Sequence, residues 1–209
     1  MNNEMHPLLT IGMIFKNDIR CLERCLKALE PLRRALSCEL VMADTGSVDG
    51  SREIAERYAD VIFDFPWNDD FSAARNAVMN RASGKWYLTV DTDEYLDEDI
   101  SELAAFLKSA GKQQKKVCSL IQRNYAFQEM DGLYADFPVI RLLLMSTGLR
   151  YEGIIHERWP ITPEQLPKVH LLSRTIFHHD GYAESDSEQV KAKRKRNLKL
   201  LKEALDKEP

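Results

Sequence analysis

Two kinds of apolar pattern alternate along this chain. Short runs rich in β-branched and aromatic residues predict buried strands, and stretches in which apolar residues recur every three or four positions predict amphipathic helices. Leu8 to Phe15 reads as a first strand. Lys16-Asn17-Asp18 follows, with Asn17 or Asp18 as a helix cap. Ile19, Leu22, Leu26 and Leu29 then fall on one helical face, and Pro31 closes that helix. Leu40 to Ala43 predicts a second strand, ending in the polar turn Asp44-Thr45-Gly46-Ser47-Val48-Asp49-Gly50. Ser51 to Tyr58 predicts a second helix, Val61 to Phe65 a third strand, and Phe71 to Arg81 a third helix with Gly84 as its stop. Trp86 to Val90 is a fourth strand, and it runs into Asp91-Thr92-Asp93-Glu94.

Strands alternating with helices predict an α/β fold with a mostly parallel central sheet and right-handed crossovers. Open sheets of this kind bind ligands at the carboxyl ends of their strands. Asn17, Asp44, Asp91 and Asp93 therefore gather on one rim. Carboxylates converging there repel each other unless a cation sits among them. Hard oxygen ligands suit Mg²⁺ or Mn²⁺, and Mg²⁺ is commonly held by one or two carboxylates plus substrate phosphates. The rim reads as a divalent-metal site for a diphosphate. The plainer alternative is a solvated turn ahead of a helix whose dipole suits the acids from Asp97 to Glu102. Several acidic or polar turns meeting on one rim favour the metal.

The second half has a different pattern. Ile100 to Ala110 predicts a helix and Gly111 to Lys116 a loop. Val117 to Tyr125 and Pro138 to Met145 read as strands with a turn at Asp131-Gly132. Tyr151 to His156 and Val169 to Phe177 read as two more. This half extends the sheet in a mixed or antiparallel manner and walls the acceptor side of the cleft. Ser187 to Lys207 is a charged helix whose apolar stripe, Val190, Leu198, Leu201 and Leu205, is thin. Its basic run, Lys191 to Arg196, reads as a solvated helix face, part of which could hold a phosphate. The domain reading is one catalytic domain over 1–186, with a nucleotide-binding half (1–98) and an acceptor half (99–186), followed by a helix over 187–209.

Composition narrows the classes. The 209 residues are 44% hydrophobic and 30% charged with a formal charge of -4, so no electrostatic argument favours nucleic acid or anionic membrane. Leu8 to Phe15 is too short to span a bilayer, and Met1 to His6 lacks the basic start of a signal peptide. The expected location is the cytoplasm, with no integral membrane segment. Cys21, Cys25, Cys38 and Cys118 show no CxxC spacing and read as packed thiols, not a zinc site.

Six stretches, taken together, resemble the bacterial family 2 glycosyltransferases of GT-A fold, of the soluble cytoplasmic type. They are IGMIFKND at 11–18, ADTGSVDGS at 43–51, FPWNDDFSAARNAV at 65–78, GKWYLTVDTDEYL at 84–96, YEGIIHE at 151–157 and HHDGY at 178–182. They run in the family's order over most of the chain. The resemblance implies that Asp44 meets the nucleotide base, usually uracil, and that Asn17 lies near the nucleotide. It puts Arg75 and Asn76 near the diphosphate or sugar, Asp91 on the ribose or donor sugar, and Asp93 on the metal. The family pattern His-x-Gly-Tyr falls on His179 as a further metal or diphosphate ligand, with His178 as the alternate. Glu157 matches the position of the catalytic base, although Asp136 and Glu152 are other acids in the same half. Trp67, Asn68 and Asp69 are either part of the site or a loop packed on the sheet.

The implied reaction is a metal-dependent, inverting transfer of a sugar from a nucleotide diphosphate, UDP by family habit, to an acceptor nucleophile. The acceptor could be a protein side chain, a lipid carrier, a glycan or a small molecule, and no nucleic acid is involved. A catalytically silent nucleotide-sugar-binding module would keep the same acids. A phosphotransferase using Asp91 as nucleophile would want Thr or Val where Tyr95 stands. A dinucleotide oxidoreductase would need G-x-G-x-x-G, which is absent. No Gln-x-x-Arg-Trp segment follows, which argues against a processive polysaccharide synthase.

Overall fold

The computed structural model describes residues 6–109, 116–125, 133–162, 164, 169–179 and 188–206. Eight strands form one sheet. In chain order they are β1 (Leu9–Phe15), β2 (Cys38–Asp44), β3 (Val61–Asp64), β4 (Trp86–Thr89), β5 (Glu94–Leu96), β6 (Val117–Tyr125), β7 (Tyr134–Leu144) and β8 (His170–His179). The helices are α1 (Leu22–Ala35), α2 (Ser51–Glu56), α3 (Phe71–Met79), α4 (Ser101–Ser109) and α5 (Glu188–Leu205). The strand order is β3-β2-β1-β4-β7-β6-β8-β5. The first four are parallel, β7 joins β4 antiparallel, β6 pairs antiparallel with β7 and parallel with β8, and β5 closes the far edge antiparallel to β8. The expected α/β architecture, a mostly parallel half with a mixed extension, is the one observed.

Both faces of the parallel half are covered, and the pleat sorts its residues. Leu9, Ile11, Met13 and Phe15 of β1, Leu40 and Met42 of β2, and Trp86 and Leu88 of β4 turn to one core with Leu22, Leu26 and Leu29 of α1. Their neighbours Val41, Ala43 and Tyr87 turn to a second core with Val78, Met79, Tyr151 and Trp159. Burial on both faces explains why these strands read as continuous apolar runs. Gly12 and Gly84 mark close approaches: a Cβ on Gly12 would lie 2.0 Å from the Tyr87 hydroxyl, and one on Gly84 would lie 2.5 Å from the backbone nitrogen of Thr10.

Several expectations give way. The first helix starts at Leu22, where the amides of Cys21 and Leu22 donate to the Asp18 carbonyl at 3.1 and 2.9 Å. Neither Asn17 nor Asp18 caps it by side chain, because both side chains bind elsewhere, and Ile19, ahead of the helix, is exposed. Pro31 lies inside α1, which continues to bury Leu32 before ending at Ala35. Burial of that last turn outweighs the one hydrogen bond a proline removes. Gly84 does not stop α3, whose C-cap is Asn80; it fits against β1 instead.

Tyr151 to His156 forms no strand beyond an isolated bridge between Glu152 and Arg158. Both backbone groups of Tyr151 bind the Asn76 side chain, leaving none for a ladder. Among the described side chains of α5 the fully buried one is Leu200, whereas Leu198 and Leu205 of the expected stripe are exposed; the Val190 side chain lies outside the described residues. The Asp131-Gly132 turn lies outside the described residues, as does the Gly-Tyr part of the 178–182 motif. Among the described residues, no helix is long and apolar enough to cross a membrane.

Candidate functional site

The carboxyl ends of β1, β2 and β4 open on a cavity of about 360 Å³. Asp91, Asp93, Glu157 and His179 line one part of its wall, and Lys193 and Arg196 of α5 line another. Three distant pieces of chain meet here, brought together by the end of β4, the loop after β7 and the last residue of β8.

Asp91 sits between two arginines. Arg75 Nη2 donates to its Oδ1 at 2.7 Å and Arg141 Nη1 to its Oδ2 at 2.9 Å. Burial opposes ionisation, but the two guanidiniums overcome it and hold the carboxyl well below the usual carboxylate range. Arg75 is nearly buried. Its Nη1 donates to Thr89 Oγ1 at 2.9 Å, and its Nε donates to Glu157 Oε1. All three guanidinium nitrogens are therefore occupied by protein oxygens. Arg75 lines the cavity and clamps Asp91 and Glu157 in fixed positions.

Asn76 sits apart from the cavity wall. Its amide nitrogen donates to the Tyr151 carbonyl and its oxygen accepts from the Tyr151 amide, both at 2.9 Å. It anchors the segment that carries Glu157. Asn17, with φ 53°, accepts from the Val48 amide at 2.8 Å and donates its own amide to Ser47 Oγ at 3.1 Å. It shapes the turn and lines a smaller adjoining cavity of about 300 Å³. Asp44 Oδ1 accepts from the Gly46 and Ser47 amides at 3.0 and 2.8 Å, while its Oδ2 is 4.0 Å from Arg52 Nη1.

Of the two histidines, His179 faces the cavity. Its Nε2 is 3.5 Å from Asp93 Oδ2, and its Nδ1 is 2.6 Å from Asn124 Oδ1, which makes Nδ1 the protonated nitrogen of the neutral ring. Burial pulls the imidazole down, but Asp93 and its acidic neighbours outweigh it and raise the pKa. His178 points the other way, as alternation along a strand requires. Its ring nitrogens meet Tyr125 and Asp97, and its ring stacks on Tyr95.

The donor set fits a hard divalent ion. An amide oxygen fixing the far nitrogen of a ligand histidine is the usual outer-shell support of a metal site. Among the described residues, no group of three or more His, Cys, Asp or Glu side chains converges as a complete cage. Asp93 and His179 could supply two ligands, a number that suits an ion sharing its coordination with substrate phosphates.

Sequence reasoning missed Arg141 and Glu94. Arg141 Nη2 donates to Glu94 Oε1 at 2.6 Å, and Glu94 is only 1% exposed. Burial pushes the Glu94 carboxyl up, and Arg141 works against that shift. The signal was present as an arginine inside the apolar run Pro138 to Leu144, since a buried cation demands a buried partner. Trp67 lines the cavity and donates Nε1–H to Asp69 at 2.8 Å. Of the other acids, Asp136 is engaged by both ends of the Arg123 fork at 2.8 Å, and Glu152 is exposed.

A second cavity, about 540 Å³, lies beyond Arg75. Tyr151, Trp159, Ile140 and Arg141 line it, and it shares Arg75, Asp91, His156 and Glu157 with the first. Glu157 thus stands in a wall common to both.

The profile described as "Glycosyl transferase family 2" matches residues 10–175. The chain is 26% identical over 206 residues to the SPbeta prophage-derived glycosyltransferase SunS of Bacillus subtilis, covering 97% of this chain and 46% of that protein. It is 36% identical over 189 residues to a TPR repeat-containing protein of Synechococcus elongatus, covering 87% and 44%. The chain spans about half the length of the curated relatives it matches. Among solved structures, S. aureus TarS 1-349 in complex with UDP-GlcNAc shares the fold at TM-score 0.60 and 15% identity, over 88% of this chain and 60% of that one. A mannosyltransferase from Pyrobaculum calidifontis, in complex with GDP-Man and Mn²⁺, does so at TM-score 0.60 and 12% identity, over 99% and 66%. These likenesses show the GT-A architecture.

Proposed function

Because this chain belongs to glycosyl transferase family 2, we propose that it transfers a sugar from a UDP-linked donor to an acceptor hydroxyl or similar nucleophile, with inversion and with a divalent ion. The observation that carries this reading is the position of Glu157 between the two cavities. A base that serves a displacement must reach the acceptor proton while the reacting carbon sits on its other side. The cavity of about 360 Å³, with Asp91, Asp93 and His179, suits the donor, and the one of about 540 Å³ beyond Arg75 suits the acceptor.

In this reading Glu157 takes the acceptor proton as the acceptor oxygen bonds to the anomeric carbon. The bond from that carbon to the diphosphate breaks, and its electron pair leaves with the phosphate. One displacement inverts the centre. Asp91 faces the donor sugar or ribose, and its negative charge suits an oxocarbenium-like state. Asp44 meets the base through Oδ2, which lies outside the turn's amide bonds. Asp93 and His179 would hold Mn²⁺ or Mg²⁺. Such an ion, when bound, neutralises charge on the leaving diphosphate. Arg75 and Asn76 position the groups that act. The catalytic-domain boundaries proposed are 1–186, with the helix over 187–209 behind them.

Calorimetric titration with UDP, GDP and CDP, each with and without Mn²⁺, tests the reading on the wild-type chain and on Asp93→Asn. The expected result is UDP binding that requires Mn²⁺ and is lost in the variant. Selective binding of GDP or CDP would overturn the choice of base, and binding of no nucleoside diphosphate would overturn the whole reading.

A further inference from the structure

The basic face of α5 turns inward. Lys193, Arg196 and Asn197 line the same cavity as Asp91, Asp93 and His179. The helix is fastened there by Leu200, which is fully buried, and by ion pairs from Lys193 to Asp18 (3.2 Å) and Lys199 to Asp69 (2.6 Å). Both lysines thus have carboxylates. Arg196 has none: among the described residues its guanidinium hydrogen-bonds only the adjacent Asn197 Oδ1, at 3.1 and 3.0 Å. It lies over the rings of Phe71 and Trp67, at 4.9 and 5.7 Å from their centroids.

We infer that α5 is a wall of the donor cleft, and that Arg196, flanked by Lys193, grips the diphosphate of the donor. The inference rests on the donor reading above. A partly desolvated cation on which Asp18 and Asp69 act only from beyond ion-pair distance is costly, and an anion entering the cavity relieves that cost. Burial lowers the Arg196 pKa, and those two carboxylates offset the shift only in part. The aromatic rings and Asn197 hold the guanidinium at the cavity wall, and a planar guanidinium can engage two phosphate oxygens. Lys193 can swing from Asp18 to the same group. By contrast, Arg75 and Arg141 already hold carboxylates, Arg75 those of Asp91 and Glu157 and Arg141 those of Asp91 and Glu94. Helix α5 therefore brings two cations to a cavity that Lys16, after β1, also lines.

The test is calorimetric titration of UDP and GDP with Mn²⁺ into the wild-type chain, Arg196→Gln, Lys193→Gln and Lys199→Gln, with thermal melts to check folding. Lys199 docks the helix without lining the cavity, so Lys199→Gln reports a purely structural role. Arg196→Gln should weaken the diphosphate about tenfold or more, the worth of a charge-assisted pair. Lys193→Gln should weaken it less, and Lys199→Gln should stay within about twofold of wild type. If wild type binds a nucleoside diphosphate and Arg196→Gln binds it equally well, the inference falls while the donor reading stands. It falls likewise if Lys199→Gln weakens binding as much as Arg196→Gln. If wild type binds neither nucleotide, both readings fall together.

Discussion

Arg141 Nη1 lies 2.9 Å from Asp91 Oδ2, tying the antiparallel strand β7 to the carboxyl end of the parallel strand β4. The same guanidinium holds Glu94, so one buried cation serves two carboxylates from a single turn. The acidic turn is thus internally compensated before any ligand arrives.

Arg141→Met should therefore be costly. It strands Glu94 in the interior, and losing one partner of a buried pair costs about 3–5 kcal/mol. Urea unfolding measures the loss, and adding Glu94→Gln should recover part of it. A single variant as stable as wild type would contradict the assignment.

Arg75→Lys keeps the charge but not the fork, so one amine cannot reach Glu157, Thr89 and Asp91 together. Turnover should fall on the order of a hundredfold through misplacement of Glu157, with a smaller change in donor KM. A raised KM at unchanged kcat would mean that Arg75 binds donor directly and does not position the base.

Asn76→Ala removes both hydrogen bonds to Tyr151 and should cost about 2 kcal/mol. The effect should also be local: amide exchange at Tyr151 and along the segment to Arg158 should speed up more than in β1. Uniform acceleration would show that Asn76 acts on global stability alone.

Gly84→Ala drives a Cβ into the backbone of Thr10, which cannot rotate away, and should cost about 3 kcal/mol. Gly148→Ala meets nothing within 4 Å but occupies a left-handed position, φ +71°. It should cost about 1–2 kcal/mol. Parallel thermal melts separate crowding from backbone strain, and equal costs would refute the distinction.

These sites differ in how far the sequence exposes them. The strands β1, β2 and β4 were legible because both-face burial leaves apolar runs with turn residues at their ends. Tyr151 to His156 has the same appearance, yet Asn76, far away in sequence, claims the backbone of Tyr151. No local pattern records that. Strand β5 is three residues long and carries Glu94 in its first position, so it gives no periodic signal. Pro31 misled because local propensity ends a helix where tertiary burial of Leu32 continues it. The candidate acids stood in recognisable motifs. Their neutralising partners did not, because Arg141 is hidden in a strand and Arg196 in a run that looks like solvated surface.

The path from β4 to β5 has a mechanical consequence. The two strands lie four strand spacings apart in the sheet order, about 19 Å in a flat sheet. The chain has only the steps from Thr89 to Glu94 in which to cross, a reach of ~18 Å if fully stretched, and the Asp91–Glu94 turn shortens it. The sheet must roll up, and Asp91-Thr92-Asp93 is the bowstring that holds it rolled. Because Glu94 stands opposite His179 in the β5–β8 register, the tension of that string sets the gap between Asp93 and His179. One residue inserted into it would let the bow spring open, and the proposed metal ligands would part without either of them being changed.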